Sequence, residues 1–240
     1  MIFAAGRGSR LGALGERTPK ALIEIAGLTM LERTARSLVG AGARRVVVNV
    51  HHHADRIERF LAERDLGAEI VLSREPGGPL ETGGGLLHAR DLFHRDGPLL
   101  LHNVDVICRA DLRALVDAHA RSGALAMLAV NERETARYLL FDDLGLVGRE
   151  DRGCAQRSEV RPPRGAVRAL AFAGIQVCAP AILDLIEERG VFPIVDLYLR
   201  LAGSGRRIEP WRLANDDWIE IGNPERLAAA RRRLEGNRTL

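Results

Sequence analysis

Lysine is almost missing from this 240-residue chain. Of its 35 basic side chains only Lys20 is a lysine; the others are arginines. With 32 acidic residues against them the formal net charge is only +3, so the chain lacks the one-signed field expected of a nucleic-acid binder. Aromatics are scarce at 4%, beside 46% hydrophobic and 28% charged residues, a balance ordinary for a soluble α/β protein rich in Ala, Leu and Val. Long apolar runs are missing too. Stretches such as Val46–Val48 and Pro98–Leu101 fall far short of the roughly 20 residues of a membrane helix. The first residues carry neither a basic region nor a long apolar stretch, so no signal peptide is expected and the cytoplasm is the default compartment. The three cysteines, Cys108, Cys154 and Cys178, are scattered and form no CxxC pair, which excludes a disulfide framework and points to reduced thiols.

What is present alternates between strand and helix. Met1–Ala5, Arg44–Asn49, Glu69–Leu72, Leu99–Leu101 and Leu125–Val130 read as strands. Met30–Ala41, Asp55–Leu61, Thr82–Phe93 and Ala110–Arg121 read as helices between them. That alternation predicts an α/β, Rossmann-like three-layer sandwich with a mostly parallel mixed sheet. Further on, Arg137–Phe141 and Leu146–Arg149 flank Asp142-Asp143 and Gly145 as a hairpin does. Gly153–Gly165 reads as a loop, Leu170–Val177 as a strand, and Ala181–Glu188 and Pro193–Leu201 as helices. Ile208–Arg212 and a short strand at Trp218–Gly222 precede a last helix, Pro224–Leu234. With no repeat and no linker-like break, residues 1–240 are expected to form one domain. His51-His52-His53 reads as a strand-end loop, because three consecutive histidines cannot all face one ion from regular structure.

The segment richest in chemistry is Phe3-Ala4-Ala5-Gly6-Arg7-Gly8-Ser9-Arg10-Leu11, followed by Thr18-Pro19-Lys20. Glycines after a buried strand let backbone N–H groups approach phosphate oxygens. Arg10 offers a planar fork and Lys20 a compact charge, so the segment suits a triphosphate. A Walker A loop is excluded because Lys20 follows a proline. A dinucleotide fingerprint is excluded because Leu11 stands where its third glycine belongs.

Ala4-Ala5-Gly6-x-Gly8-x-Arg10-Leu11 with Pro19-Lys20 resembles the signature of the sugar-1-phosphate nucleotidylyltransferases. The resemblance runs on, in order, through Leu80-Glu81-Thr82-Gly83-Gly84-Gly85, Asn103-Val104-Asp105, Phe172-Ala173-Gly174-Ile175 and Trp218-Ile219-Glu220-Ile221-Gly222-Asn223-Pro224. It implies Mg²⁺-dependent transfer of a nucleotidyl group from a nucleoside triphosphate, UTP or GTP, to a sugar 1-phosphate. Nucleic acid and membrane are not expected partners. The short length and the lack of a hexapeptide-repeat tail resemble the compact uridylyl- and guanylyltransferase branches. A paralogue that senses nucleotide sugars without turnover is the alternative.

On this resemblance Arg10, Lys20 and Asp105 are the expected catalytic residues. Ala4, Ala5, Gly6, Gly8, Glu75, Thr82 and Gly83 are expected around the nucleotide. Glu81, Asn103, Arg161 and Gly174 are expected around the sugar phosphate. Asp105 and Glu220 are the expected metal ligands. Asp105 follows a strand at the carboxyl end of the sheet; capping the next helix is its other reading, though Asp111 stands nearer that role. Glu220 stands where the family usually has Asp; a sheet-edge carboxylate is its other reading. Glu81 could equally be a helix-start carboxylate, and Asn103 a backbone cap. Many family members carry Glu-Lys-Pro before the sugar-side strand. Here that stretch is Glu159-Val160-Arg161-Pro162-Pro163, with Arg161 in the lysine's place.

Overall fold

A computed structural model describes residues 1–235. Its centre is a ten-stranded mixed sheet. The parallel half joins β6 (Leu99–Asn103), β1 (Ile2–Phe3), β4 (Arg45–Val50) and β5 (Glu69–Arg74) in that order. The antiparallel half runs from β6 through β12 (Arg168–Cys178) to β9 (Arg137–Asp142), β10 (Gly145–Asp151) and β11 (Gln156–Glu159). Strand β8 (Ala126–Asn131) pairs with β12 on one side and, in parallel, with β13 (Ile208–Arg212) on the other. Two small ribbons complete the strands: β2 (Glu24–Ile25) with β3 (Leu28–Thr29), and β7 (Val106–Cys108) with β14 (Trp218–Glu220).

Alternation along the buried strands builds the layers, because successive side chains point to opposite faces. Ile2, Val46, Val48 and Val50 join one core with α2 (Met30–Gly40), α3 (Ala54–Ala62) and α5 (Leu112–Ser122). Phe3 and Val47 join the opposite core with α4 (Glu81–His88) and α6 (Ile194–Gly203). Helix α1 (Ala13–Arg17) lies in the loop after β1, and α7 (Pro224–Glu235) follows β14. Thr29 caps α2 by accepting from the amide of Glu32, and Asp111 caps α5 by accepting from that of Arg113, as Ncap side chains do. Asp105 is therefore not the cap of α5.

Two local expectations fail. Gln156–Glu159 is a strand inside the stretch read as loop; all four residues are exposed, so this edge strand has no apolar alternation to betray it. Ala181–Glu188 is not an α-helix: a 3-10 segment at Pro180–Leu185 replaces it. Among the described residues no helix is long and apolar enough to cross a membrane.

Candidate active site

The carboxyl ends of β1, β4 and β6 open into a cleft of about 230 Å³ lined by Ala5, Gly6, Lys20, Asn49, Asn103 and Asp105, with Glu81 and Thr82 at its side. Ligands of open α/β sheets bind at such strand ends. Gly8 has φ +67, and a Cβ there would sit 3.9 Å from the Cβ of Lys20, so the loop after β1 passes beside the lysine stem. Pro19 leads Lys20 into a 3-10 turn. Its ammonium then donates to Asp105 Oδ2 at 2.7 Å, with the two side chains 13% and 19% exposed. This ion pair forms the floor of the cleft.

The second expected metal ligand arrives from the far end of the chain. Glu220 lies opposite Val106 in the β7–β14 ribbon, and the amide of Ile221 donates to the Asp105 carbonyl at 3.0 Å. Glu220 is held by Arg226, a residue the motif left unassigned. Its Oε1 also stands 3.9 Å from Arg10 Nη2, which rides 69% exposed on the rim. Gly222 lies against the Glu220 carboxylate, which a Cβ there would push aside. Among the described residues no group of three or more His, Cys, Asp or Glu is placed to hold a metal. A small hard cation asks less: one or two carboxylates plus substrate phosphates suffice for Mg²⁺. Asp105 and Glu220, oxygen donors on adjoining backbone, fit that requirement.

Several expected residues do other work. Glu75 is 4% exposed. Its Oε1 accepts from Asn49 Nδ2 at 2.6 Å and its Oε2 from the Leu80 amide at 2.8 Å, while Asn49 Oδ1 accepts from the Ala4 amide at 2.7 Å. Glu75 thus ties β1, β4 and the start of α4 together, with each of its oxygens accepting an internal hydrogen bond, and it does not line the cleft. Ala4 belongs to the same network and is buried; only Ala5 of that pair lines the cleft. Gly83 is a packing glycine, not a cleft residue: a Cβ would meet the Phe192 ring. Thr82 accepts from the Ile194 amide at 3.0 Å, joining α4 to α6. Glu81 begins α4 with φ +61, a strained conformation for a non-glycine residue at a cleft edge. Gly174 has φ +75, and a Cβ there would be 2.7 Å from Asn103 Nδ2. Its lack of a side chain gives Asn103 its place.

Arg161 is not at the cleft. Its guanidinium is bidentate to Asp142 at 2.6 and 2.7 Å, closing the β9–β10 hairpin. That pairing holds the Asp142 carboxyl well below the usual carboxylate range. The planar fork that would suit a phosphate is matched to an internal carboxylate instead.

The family model described as the MobA-like NTP transferase domain matches residues 1–197. The chain belongs to this family. N-acetylmuramate alpha-1-phosphate uridylyltransferase of Caulobacter vibrioides is 35% identical over 98% of this chain and 96% of its own length. Mannose-1-phosphate guanylyltransferase catalytic subunit beta of Drosophila melanogaster is 32% identical over 94% of this chain, which spans 59% of that protein. A putative glucose-1-phosphate thymidylyltransferase from Bacillus anthracis, solved in complex with a sucrose, superposes with a TM-score of 0.79 at 16% identity, covering 97% of this chain and 93% of that one. At that identity the likeness speaks for the fold alone.

Proposed function

We propose that the chain, acting as one domain over residues 1–240, transfers a nucleotidyl group from a nucleoside triphosphate to a sugar 1-phosphate. A phosphate oxygen of the sugar attacks the α-phosphorus, the bond to the β-phosphate oxygen breaks, and pyrophosphate leaves with the electron pair. The observation that carries this reading is the Lys20–Asp105 pair, on the floor of the cleft under the glycine loop and beside Glu220.

Both reactants are anions, so the protein must chiefly neutralise and align them. Lys20 supplies a shielded positive charge at the reacting phosphate, and Arg10 a mobile guanidinium at the rim for the outgoing end. Gly6 and Gly8 allow close approach of backbone to phosphate. The start of α4, at Glu81 and Thr82, presents a helix N-terminus to the ligand. Asp105 and Glu220 would hold Mg²⁺, which when bound neutralises phosphate charge and polarises the α-phosphoryl group. With the carboxylates so engaged, Lys20 and Arg10 would be available to substrate phosphates.

The uridylyltransferase matches this chain over almost the full length of both proteins, so UTP with N-acetylmuramate 1-phosphate is the first pair to test. GTP with mannose 1-phosphate is the second. The cytoplasm is the proposed compartment. Pyrophosphate release in Mg²⁺ with either pair is expected. Tight binding of a nucleotide sugar with no pyrophosphate from any pair would make the protein a sensor instead.

A further inference from the structure

A second cleft, of about 910 Å³, opens between the β9–β11 strands and the start of α6. Two chain segments connect it to the nucleotide cleft, although no residue lines both. Phe172 lines it, and two residues further along β12 Gly174 packs against Asn103. Pro193 and Val195 line it, and Ile194 between them is bonded to Thr82.

Four arginines line this cleft, and three of them already have carboxylate partners. Arg137 pairs with Asp151 at 3.3 Å, Arg149 with Asp196 at 2.8 Å and Arg157 with Glu159 at 2.7 Å. Arg133 has no carboxylate within ion-pair distance among the described residues. It donates to neutral acceptors only: Asn131 Oδ1 at 2.6 Å, the Phe172 carbonyl at 2.8 Å and the Ala171 carbonyl at 3.4 Å. Its guanidinium carbon lies 3.9 Å over the Trp218 ring, which is itself fixed by donating to the Ala173 carbonyl at 2.9 Å. Burial pulls the guanidinium down to about 10, with Glu220 the largest opposing influence. Beside it Asn131, 1% exposed, keeps a buried Nδ2 with no partner. A desolvated cation without a counterion is costly, and here it is oriented by a stack and a set of carbonyls beside the reaction cleft.

We propose that Arg133 binds the 1-phosphate of the acceptor sugar, whose ring occupies the 910 Å³ cleft. It takes the role that the sequence assigns to Arg161. The proposal rests on the nucleotidyl-transfer reading above. Its logic is that of elimination: Arg161 is bidentate to Asp142 away from the cleft, the other arginines of this cleft have their own carboxylates, and Lys20 and Arg10 are assigned to the triphosphate in the reading above. Arg133 is the cation there whose charge is still unanswered.

The test is steady-state kinetics of Arg133→Gln and Arg133→Lys, with UTP and N-acetylmuramate 1-phosphate and with GTP and mannose 1-phosphate. Calorimetric titration of mannose 1-phosphate and of neutral mannose accompanies it. Losing one charge-assisted contact is expected to raise the KM for the sugar 1-phosphate roughly ten- to a hundredfold in Arg133→Gln, with the KM for triphosphate within about twofold of wild type. Arg133→Lys should recover part of the loss, and mannose 1-phosphate but not mannose should lose affinity. Unchanged constants overturn the proposal. So does a rise of both KM values together with a lower Tm, which would make Arg133 a brace for β12 through the Ala171 and Phe172 carbonyls. A loss confined to the acceptor that carries a carboxylate also overturns it, since Arg133 would then read the sugar and not its phosphate. If the wild type turns over neither pair, the reaction reading fails. Titration still decides this one: equal binding of mannose 1-phosphate by wild type and Arg133→Gln refutes it, and binding lost only in the variant supports it.

Discussion

Replacing Lys20 by arginine keeps the charge and changes only its shape, which makes it the sharpest test of the site. The ammonium sits 2.7 Å from Asp105, on a side chain 13% exposed, beside the glycine loop. Arginine is tolerated on the open rim, where Arg10 is 69% exposed. On the floor of a cleft of about 230 Å³ a planar guanidinium cannot bring its charge to the same point without pushing the loop or Asp105 aside. A displacement of about 1 Å at a reacting group costs about a hundredfold in rate. Lys20→Met, which removes the charge outright, should cost about 10²–10³-fold in kcat, or about 2.7–4 kcal/mol of transition-state stabilisation. It should also lower Tm by about 4–8 °C, since Asp105 loses a charge-assisted partner in a place more than four-fifths shielded, worth about 2 kcal/mol. Lys20→Met combined with Asp105→Asn should restore Tm but not turnover, because removing both partners of such a pair is nearly neutral for folding. Pyrophosphate release and differential scanning fluorimetry read both effects. A kcat for Lys20→Arg within about twofold of wild type would refute the reasoning; the lone lysine would then be a compositional accident.

Asp105→Ala should abolish pyrophosphate release while circular dichroism stays native; near-normal turnover would remove Asp105 from the metal site. Gly174→Ala forces a side chain into φ +75 and against Asn103, and should cost about 1–3 kcal/mol of stability along with turnover, read by urea unfolding and kinetics; an unchanged Tm would contradict the close approach. Arg161→Gln leaves the solvent-shielded Asp142 carboxylate without its fork, and should lower stability by about 2 kcal/mol, a Tm drop of about 4–8 °C, with the KM for sugar 1-phosphate unchanged. The same pair sets a pH dependence. The folded carboxyl of Asp142 is depressed, chiefly by Arg161, so its stabilisation is full above the unfolded value of about 3.9 and is lost as pH falls below it. Urea unfolding between about pH 3 and 7 should show a steeper acid-side loss in wild type than in Arg161→Gln; parallel curves would refute the assignment.

Where the chain repeats a local rule, the amino-acid sequence alone determined the outcome. The buried strands Arg45–Val50 and Ala126–Asn131, the amphipathic helices between them and the glycine loop ahead of Lys20 follow from periodicity and backbone freedom within a few residues. Strand-end placement likewise put Asp105 at the cleft before any geometry was known. Tertiary structure decided which charges are already answered. Glu220 meets Arg226 and Arg10, Arg161 meets Asp142, Glu75 meets Asn49 and Leu80, and Arg133 is left with Trp218. The residue types told nothing of this, because an arginine reads the same whether its fork is filled or open. With 34 of them in the chain, only the packing of segments as distant as Arg133 and Trp218 distinguishes a cation that holds the fold from one that awaits an anion.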